Sequence, residues 1–96
     1  MFFVYVLVSE IKGLRFYVGM SENPEKRVNE HNSGKTQSTK SYIPWTIFYF
    51  EKYPTRKDAR EREKYLKSGS GKEKIKKKWL ESKSNFGSAG YLPADA

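Results

Sequence analysis

An apolar run at residues 2–8 is the feature that most constrains the fold. Its side chains are apolar or aromatic at every position rather than at every second one, which is typical of a strand buried on both faces at the centre of a sheet. A turn and a second strand over residues 14–19 follow. With an even register, an antiparallel hairpin of these strands places Tyr5 and Tyr17 on the same face.

A short helix is predicted after the hairpin, over residues 24–32, because Asn23 is a favourable N-cap and Pro24 suits the first helical position. Arg27 and His31 are four residues apart and therefore share one side of this helix. Each also has an ordinary explanation. Such an arginine is often the ion-pair partner of a nearby acid such as Glu30 or Glu25. Such a histidine often interacts with the negative end of the helix dipole.

A third strand is predicted over residues 45–50 and a second helix over residues 56–67. On this helix Ala59, Glu63 and Leu66 fall on one narrow stripe. The two apolar residues are expected to face the sheet, so Glu63 faces inward with them. An inward carboxylate requires an ion-pair partner, hydrogen bonds or a bound cation.

The C-terminal part is predicted to contain a third helix that opens at Ser70, where Ser70 and Glu73 form a capping box. Residues 82–96 lack periodicity and are predicted to be a flexible tail, which leaves residues 1–81 as a single folded domain. The expected class is α+β, with a three-stranded antiparallel sheet flanked by about three helices.

The net charge of +8 is unevenly distributed. Residues 52–83 contain 13 Lys and Arg against 5 Asp and Glu, which suggests a polyanionic partner such as nucleic acid, although a lysine-rich solvated surface has the same composition. The chain has no cysteine, which excludes disulfides and thiolate metal sites. No apolar run is long enough to cross a membrane, so a cytoplasmic protein is predicted.

Five polar side chains are expected near one concave surface: Tyr5, Tyr17, Arg27, His31 and Glu63. Phosphodiester hydrolysis needs a base for the attacking water, a cation at the phosphoryl oxygens and a stabilised leaving oxygen. A tyrosine near positive charge would be the base, Arg27 a phosphate clamp, and Glu63 an oxygen ligand of Mg²⁺. His31 would assist a tyrosine or donate to a phosphate oxygen. Equally, the tyrosines are common strand residues, and Glu63 is able to pair with Arg27.

The ordered set resembles a known family. Phe3-Val4-Tyr5 and Tyr17-Val18-Gly19 look like the two half-motifs of the GIY-YIG nuclease superfamily, and further matches follow in the family's order: Arg27, the run from His31 to Lys35, and the run from Arg62 to Lys67. The resemblance covers residues 2–80 and is greatest to small stand-alone bacterial members. Phe3 departs from the pattern, which has glycine there.

The resemblance implies a three-stranded antiparallel sheet and cleavage of DNA with a tyrosine base and one Mg²⁺ or Mn²⁺ ion. By position it implies catalytic roles for the two tyrosines, Arg27 and His31, and a metal-ligand role for Glu63. It also implies that the backbone at Gly19 passes close to a helix. Contacts to the nucleic acid are expected from four lysines: Lys35, Lys40, Lys67 and Lys72.

Three functions remain open at this point. The first is a metal-dependent DNA endonuclease, acting as a monomer or weak dimer in DNA repair or recombination. The second is a nucleic-acid-binding module that keeps the nuclease fold without turnover. The third is a small protein-interaction domain whose charge serves solubility.

Overall fold

In the computed structural model, which describes residues 1–89 and the side chains of residues 1–83, three antiparallel strands form one sheet. They are β1 Phe2–Ser9, β2 Arg15–Ser21 and β3 Thr46–Tyr53, in the order β2-β1-β3. β1 is the central strand, as its uninterrupted apolar sequence predicts, and both of its faces are buried at Val4, Val6 and Leu7. β3 begins one residue later than predicted and extends to Tyr53.

The described part of the chain also contains α1 Pro24–Asn32, a 3₁₀ turn Lys40–Tyr42, α2 Arg56–Lys67 and α3 Gly69–Ala89. This sheet with three α-helices is the α+β architecture that the sequence predicts. α1 begins where its cap predicts, since the Lys26 amide donates to Asn23 Oδ1 at 3.1 Å.

The start and end of α3 differ from the prediction. The capping side chain is Ser68, whose Oγ accepts from the Gly71 amide at 3.2 Å, and not Ser70, because α2 ends at Lys67 and only one residue separates the two helices. A Cβ at Gly71 would lie 2.1 Å from the Tyr65 carbonyl oxygen, so this glycine permits a close approach rather than ending a helix. α3 also continues to Ala89, past the predicted tail boundary at residue 82, and residues 90–96 of that tail lie outside the described residues.

The chain divides into two compact units, Met1–Lys64 and the part from Tyr65 onwards. The first holds the sheet, α1, the 3₁₀ turn and most of α2. Its core is built on Tyr5, Leu7 and Trp45, with Tyr17, Val28 and Ile47 among the partly buried residues packed against it. In the second unit Leu66 and Ile75 are buried. All five predicted site residues belong to the first unit.

Candidate active site

The strand register places both tyrosines on one face of the sheet, as predicted. Tyr5 pairs with Gly19, and Leu7 pairs with Tyr17. Directly paired residues of antiparallel strands point to the same side. We call this side, which carries Tyr5, Leu7 and Tyr17, the site face.

Gly19 provides the space that the Tyr5 ring occupies. A Cβ at Gly19 would lie 2.4 Å from the Tyr5 hydroxyl oxygen and 2.5 Å from its Cζ atom. The nearest neighbour of an added Cβ at Gly19 is therefore the phenol of Tyr5. Any side chain at this position would displace the Tyr5 hydroxyl, which explains why glycine stands opposite this tyrosine.

Arg27 extends from α1 to the neighbourhood of the Tyr5 hydroxyl, close enough for each group to affect the pKa of the other. It also forms an ion pair with Glu30, one of the two acids that the sequence suggested as its partner. Its side chain is 36% exposed, so the guanidinium has access to solvent. Tyr5 itself is 1% exposed.

These surroundings determine the protonation of Tyr5. Burial raises the pKa of the Tyr5 hydroxyl above its ordinary value, and the Arg27 guanidinium opposes that rise by hydrogen bonding to the oxygen and by its charge. Tyr17 and Glu63 add smaller raising contributions to the pKa of Tyr5. In the free protein Tyr5 is therefore a neutral phenol at physiological pH.

His31 is fully buried and contacts Tyr17. The two ring centroids are 4.7 Å apart in an edge-to-face arrangement. His31 Nδ1 shares a 2.9 Å hydrogen bond with the Thr39 hydroxyl, which also lies 3.3 Å from the Thr36 carbonyl oxygen. Nε2 is a buried ring nitrogen with no hydrogen-bond partner among the described residues.

Burial also lowers the pKa of His31, and the positive charge of Arg27 acts in the same direction. The imidazole is therefore neutral at physiological pH. Because no part of the ring reaches solvent, its position favours the expected role of assisting a tyrosine over that of donating to a phosphate.

Glu63 lies on the inward stripe of α2 next to a buried Ala59, and its side chain is 14% exposed. Glu61 is exposed, as predicted. The Glu63 carboxylate is 3.9 Å from Arg60 Nε, and its negative charge reaches Tyr5, whose pKa it raises. Glu63 is thus shielded from bulk solvent and electrostatically linked to the first tyrosine.

An ion pair that the sequence did not predict fixes α2 on the sheet. Arg62 donates to both carboxylate oxygens of Glu51 on β3, at 2.8 and 3.1 Å, and Tyr53 donates to the same carboxylate at 2.7 Å. Burial and, to a smaller extent, the hydrogen bond to Glu51 raise the pKa of Tyr53 to about 12. Arg62 directly precedes Glu63, so this ion pair holds the part of α2 that carries Glu63 against β3.

Asn32 is a second residue whose role the sequence did not reveal. Its side chain donates to the Trp45 carbonyl oxygen at 2.8 Å and accepts from the Trp45 amide at 2.6 Å. Trp45 Nε1 donates to the Thr39 carbonyl oxygen at 2.9 Å. Asn32 and Trp45 thus hold the segment that carries Thr39 against His31. The only sequence signal for this role of Asn32 is its position directly after His31.

The structure exposes all four lysines that the sequence assigned to nucleic-acid contacts. Lys35 and Lys40 belong to the first unit, and Lys67 and Lys72 to the second. A further basic group in the first unit surrounds Tyr42. The Arg15 guanidinium lies 4.4 Å from the Tyr42 ring centroid and Lys12 Nζ lies 5.8 Å from it.

The described residues contain no group of three His, Cys, Asp or Glu side chains arranged to hold a metal ion. Glu63 would therefore be the carboxylate ligand by itself. Mg²⁺ is compatible with such a site, because it keeps several waters and is commonly bound through one or two carboxylates together with substrate phosphate. None of the described helices combines the length and apolar character that a membrane span requires.

Comparisons with known proteins agree with this architecture. The sequence model of the GIY-YIG catalytic domain matches residues 1–78. The chain is 33% identical to a UPF0213 protein of Bacillus licheniformis, over 94% of this chain and 91% of that protein. It is 32% identical to the UPF0213 protein YazA of Bacillus subtilis, over 96% of this chain and 90% of that protein. No solved structure matches the chain.

Proposed function

Since the chain belongs to the GIY-YIG family, we propose that it is a metal-dependent endonuclease that hydrolyses phosphodiester bonds in DNA. The observation that carries the proposal is the contact of Tyr5, the tyrosine of the first half-motif, with Gly19 of the second half-motif and with Arg27 of α1. This contact joins a potential base to a cation that is partly open to solvent. DNA repair or recombination is the proposed setting, and a cytoplasmic monomer or weak dimer stays a prediction.

In this proposal Tyr5 is the general base. The Arg27 guanidinium acts to lower the pKa of Tyr5, and this effect stabilises its phenolate relative to its phenol. Because burial raises the pKa of Tyr5, its phenolate is a minor form at physiological pH, and this is the form that acts. The phenolate oxygen accepts a proton from the attacking water as the water oxygen bonds to phosphorus, and the phosphorus–oxygen bond to the leaving strand breaks. Arg27 stabilises the negative charge that grows on the phosphoryl oxygens.

Tyr17 and His31 support this arrangement. The His31 ring packs against Tyr17 and is held by Thr39, so the second tyrosine is fixed beside the first. Glu63 is the proposed ligand of one Mg²⁺ or Mn²⁺ ion. When bound, such an ion supplies positive charge to the phosphate and its leaving oxygen.

Plasmid nicking in Mg²⁺ tests the proposal. We expect the wild type to nick supercoiled plasmid, EDTA to abolish nicking, and Glu63→Ala to abolish it as well. Glu61→Ala is the matched control, because it removes an acid from the exposed side of the same helix, and it is expected to retain full activity. Equal activity of the two variants would refute the metal role of Glu63.

Single-turnover cleavage assigns the base. Tyr5→Phe is expected to slow cleavage by about 10²- to 10⁴-fold, the usual contribution of a positioned base, and Tyr17→Phe by less. Because burial raises the pKa of Tyr5, the wild-type rate is expected to rise about tenfold per pH unit from about pH 7 to 9 without a plateau. A rate that is independent of pH, or that falls more in Tyr17→Phe, would exclude Tyr5 as the base.

One observation favours a second function. The four lysines assigned to nucleic-acid contacts are all exposed, which fits a DNA-binding module that keeps the fold but does not turn over. In that case the wild type and Glu63→Ala would both bind DNA with the same salt dependence, and neither would nick plasmid at any concentration of Mg²⁺ or Mn²⁺.

A further inference from the structure

The site face of the sheet has a covered half and an open half, which meet at Tyr5. In the covered half, Leu7 and Trp45 are buried. In the open half Tyr5 pairs with Phe50 of β3, and the next pair on this face joins Phe3 to Lys52. Phe50 is 52% exposed and Lys52 is also exposed, so a surface aromatic side chain stands directly beside Tyr5.

The Phe50 ring is held in place although it faces solvent. It forms an edge-to-face pair with Phe3, with ring centroids 5.5 Å apart and an interplanar angle of 80°. Its backbone lies in a strand that pairs with β1 throughout this region. A ring that is already ordered loses little conformational freedom when a flat ligand stacks on it.

We propose that Phe50 is a stacking platform for an unpaired base of a DNA strand that passes over Tyr5. This proposal rests on the proposed function, which supplies DNA as the ligand. What it adds is that the site accepts DNA in single-stranded or locally opened form. A base in a duplex is stacked on both sides, so only a single-stranded or locally opened segment offers a free base to this ring.

Charge on the same surface agrees with a nucleic-acid ligand. Lys52 follows Phe50 by two residues and so lies on the same face, about 7 Å further along the strand. An exposed cation beside an exposed aromatic ring is the combination with which proteins bind single strands, the ring stacking a base and the cation contacting the backbone. The chain as a whole carries a net charge of +8.

A second copy of the chain is the competing occupant of this surface. β3 is an edge strand, and edge strands are able to pair with one another across an interface. The charge argues against that pairing, because two copies would bring like-charged surfaces together. Sedimentation velocity is therefore included in the test.

Fluorescence anisotropy with labelled oligothymidylate, and with a blunt duplex as the second probe, tests the proposal in EDTA, where no cleavage occurs. Phe50→Ala is expected to weaken binding of the single strand by about 5- to 150-fold, the equivalent of one stacked base, and to change duplex binding by less than about twofold. Lys52→Ala is expected to lower the salt dependence of single-strand binding by about one counterion.

Two variants serve as controls. Phe50→Trp keeps an aromatic ring and should retain affinity, and its added fluorescence should be quenched by the oligonucleotide. Ile11→Ala removes an apolar side chain of similar exposure, 58%, elsewhere on the surface and should leave single-strand affinity unchanged. Circular dichroism establishes that each variant is folded.

The outcomes separate this proposal from the nuclease proposal. Loss of single-strand affinity in Phe50→Ala supports the stacking platform, whether or not the wild type nicks plasmid. Failure of the wild type to nick plasmid would refute only the nuclease proposal. Unchanged affinity in Phe50→Ala, or a change in sedimentation without a change in affinity, would overturn the platform even in an active nuclease.

Discussion

The contact between Gly19 and the Tyr5 ring predicts a large effect for the addition of one methyl group. In Gly19→Ala the new Cβ would lie 2.4 Å from the Tyr5 hydroxyl oxygen. Since a Cβ essentially never approaches another heavy atom within 3.0 Å, the ring has to retreat by about 0.6 Å or more. Because the ring sits in a filled core, that movement disturbs the interaction of the hydroxyl with Arg27.

The magnitude follows from three contributions. Overpacking of a core costs about 1–3 kcal/mol, and loss of a hydrogen bond to a charged group that is partly exposed costs about 1.5 kcal/mol. Replacing glycine by alanine within a strand returns about 0.5–1 kcal/mol. We therefore expect Gly19→Ala to lower the free energy of unfolding by about 1.5–4 kcal/mol.

Urea denaturation monitored by circular dichroism measures this change. Gly69→Ala is the matched control, because a Cβ at Gly69 meets no atom within 4 Å, and it should be neutral within about 0.5 kcal/mol. In a Tyr5→Leu background the outer ring atoms are absent, so Gly19→Ala should then be nearly neutral. An equal loss in both backgrounds, or a loss no greater than that of Gly69→Ala, would refute the reasoning.

Three further predictions concern the supports of the site. Burial lowers the folded-state pKa of His31, so the unfolded chain binds a proton first as the pH falls. The free energy of unfolding should therefore decrease below about pH 6.5, by at most about 1.4 kcal/mol per unit, and His31→Gln should show a shallower decrease in urea titrations. Asn32→Ala removes both hydrogen bonds to Trp45 and should cost about 1.5–3 kcal/mol by the same method; a loss under about 0.5 kcal/mol would contradict the role of Asn32. A double-mutant cycle with Arg62→Gln and Glu51→Gln should give a coupling energy of about 0.5–1.5 kcal/mol, a value that already allows for the partial exposure of both side chains. Added salt should weaken this coupling. A coupling energy of zero would mean that the pair does not fix α2.

The sequence correctly predicted the features that depend on local pattern. The uninterrupted apolar run determined that β1 is central, and the odd spacing of Tyr5 and Tyr17 determined that they share a face. The 3.6-residue period of α2 correctly placed Glu63 inward and Glu61 outward. These predictions succeed because side-chain direction along one strand or helix repeats with a fixed period.

Predictions failed where one residue has to be matched with a distant one. The sequence around Ser70 matches a capping box, but Ser68 caps α3 because α2 already ends at Lys67. The packing of the Tyr5 phenol on Gly19 was also not predicted. Neither outcome is visible in a local pattern, because both depend on where a second segment stops or passes.

By itself, then, the sequence determined which side chains point to which side of each strand and helix, since the geometry of the backbone repeats. Only the tertiary structure decided what those side chains meet: the Tyr5 phenol over Gly19, the buried imidazole of His31 with an unpartnered nitrogen, and the exposed ring of Phe50. Burial and charge at a given atom are sums over all neighbouring segments, and for that reason the protonation of Tyr5 and His31 emerges only when the chain has folded.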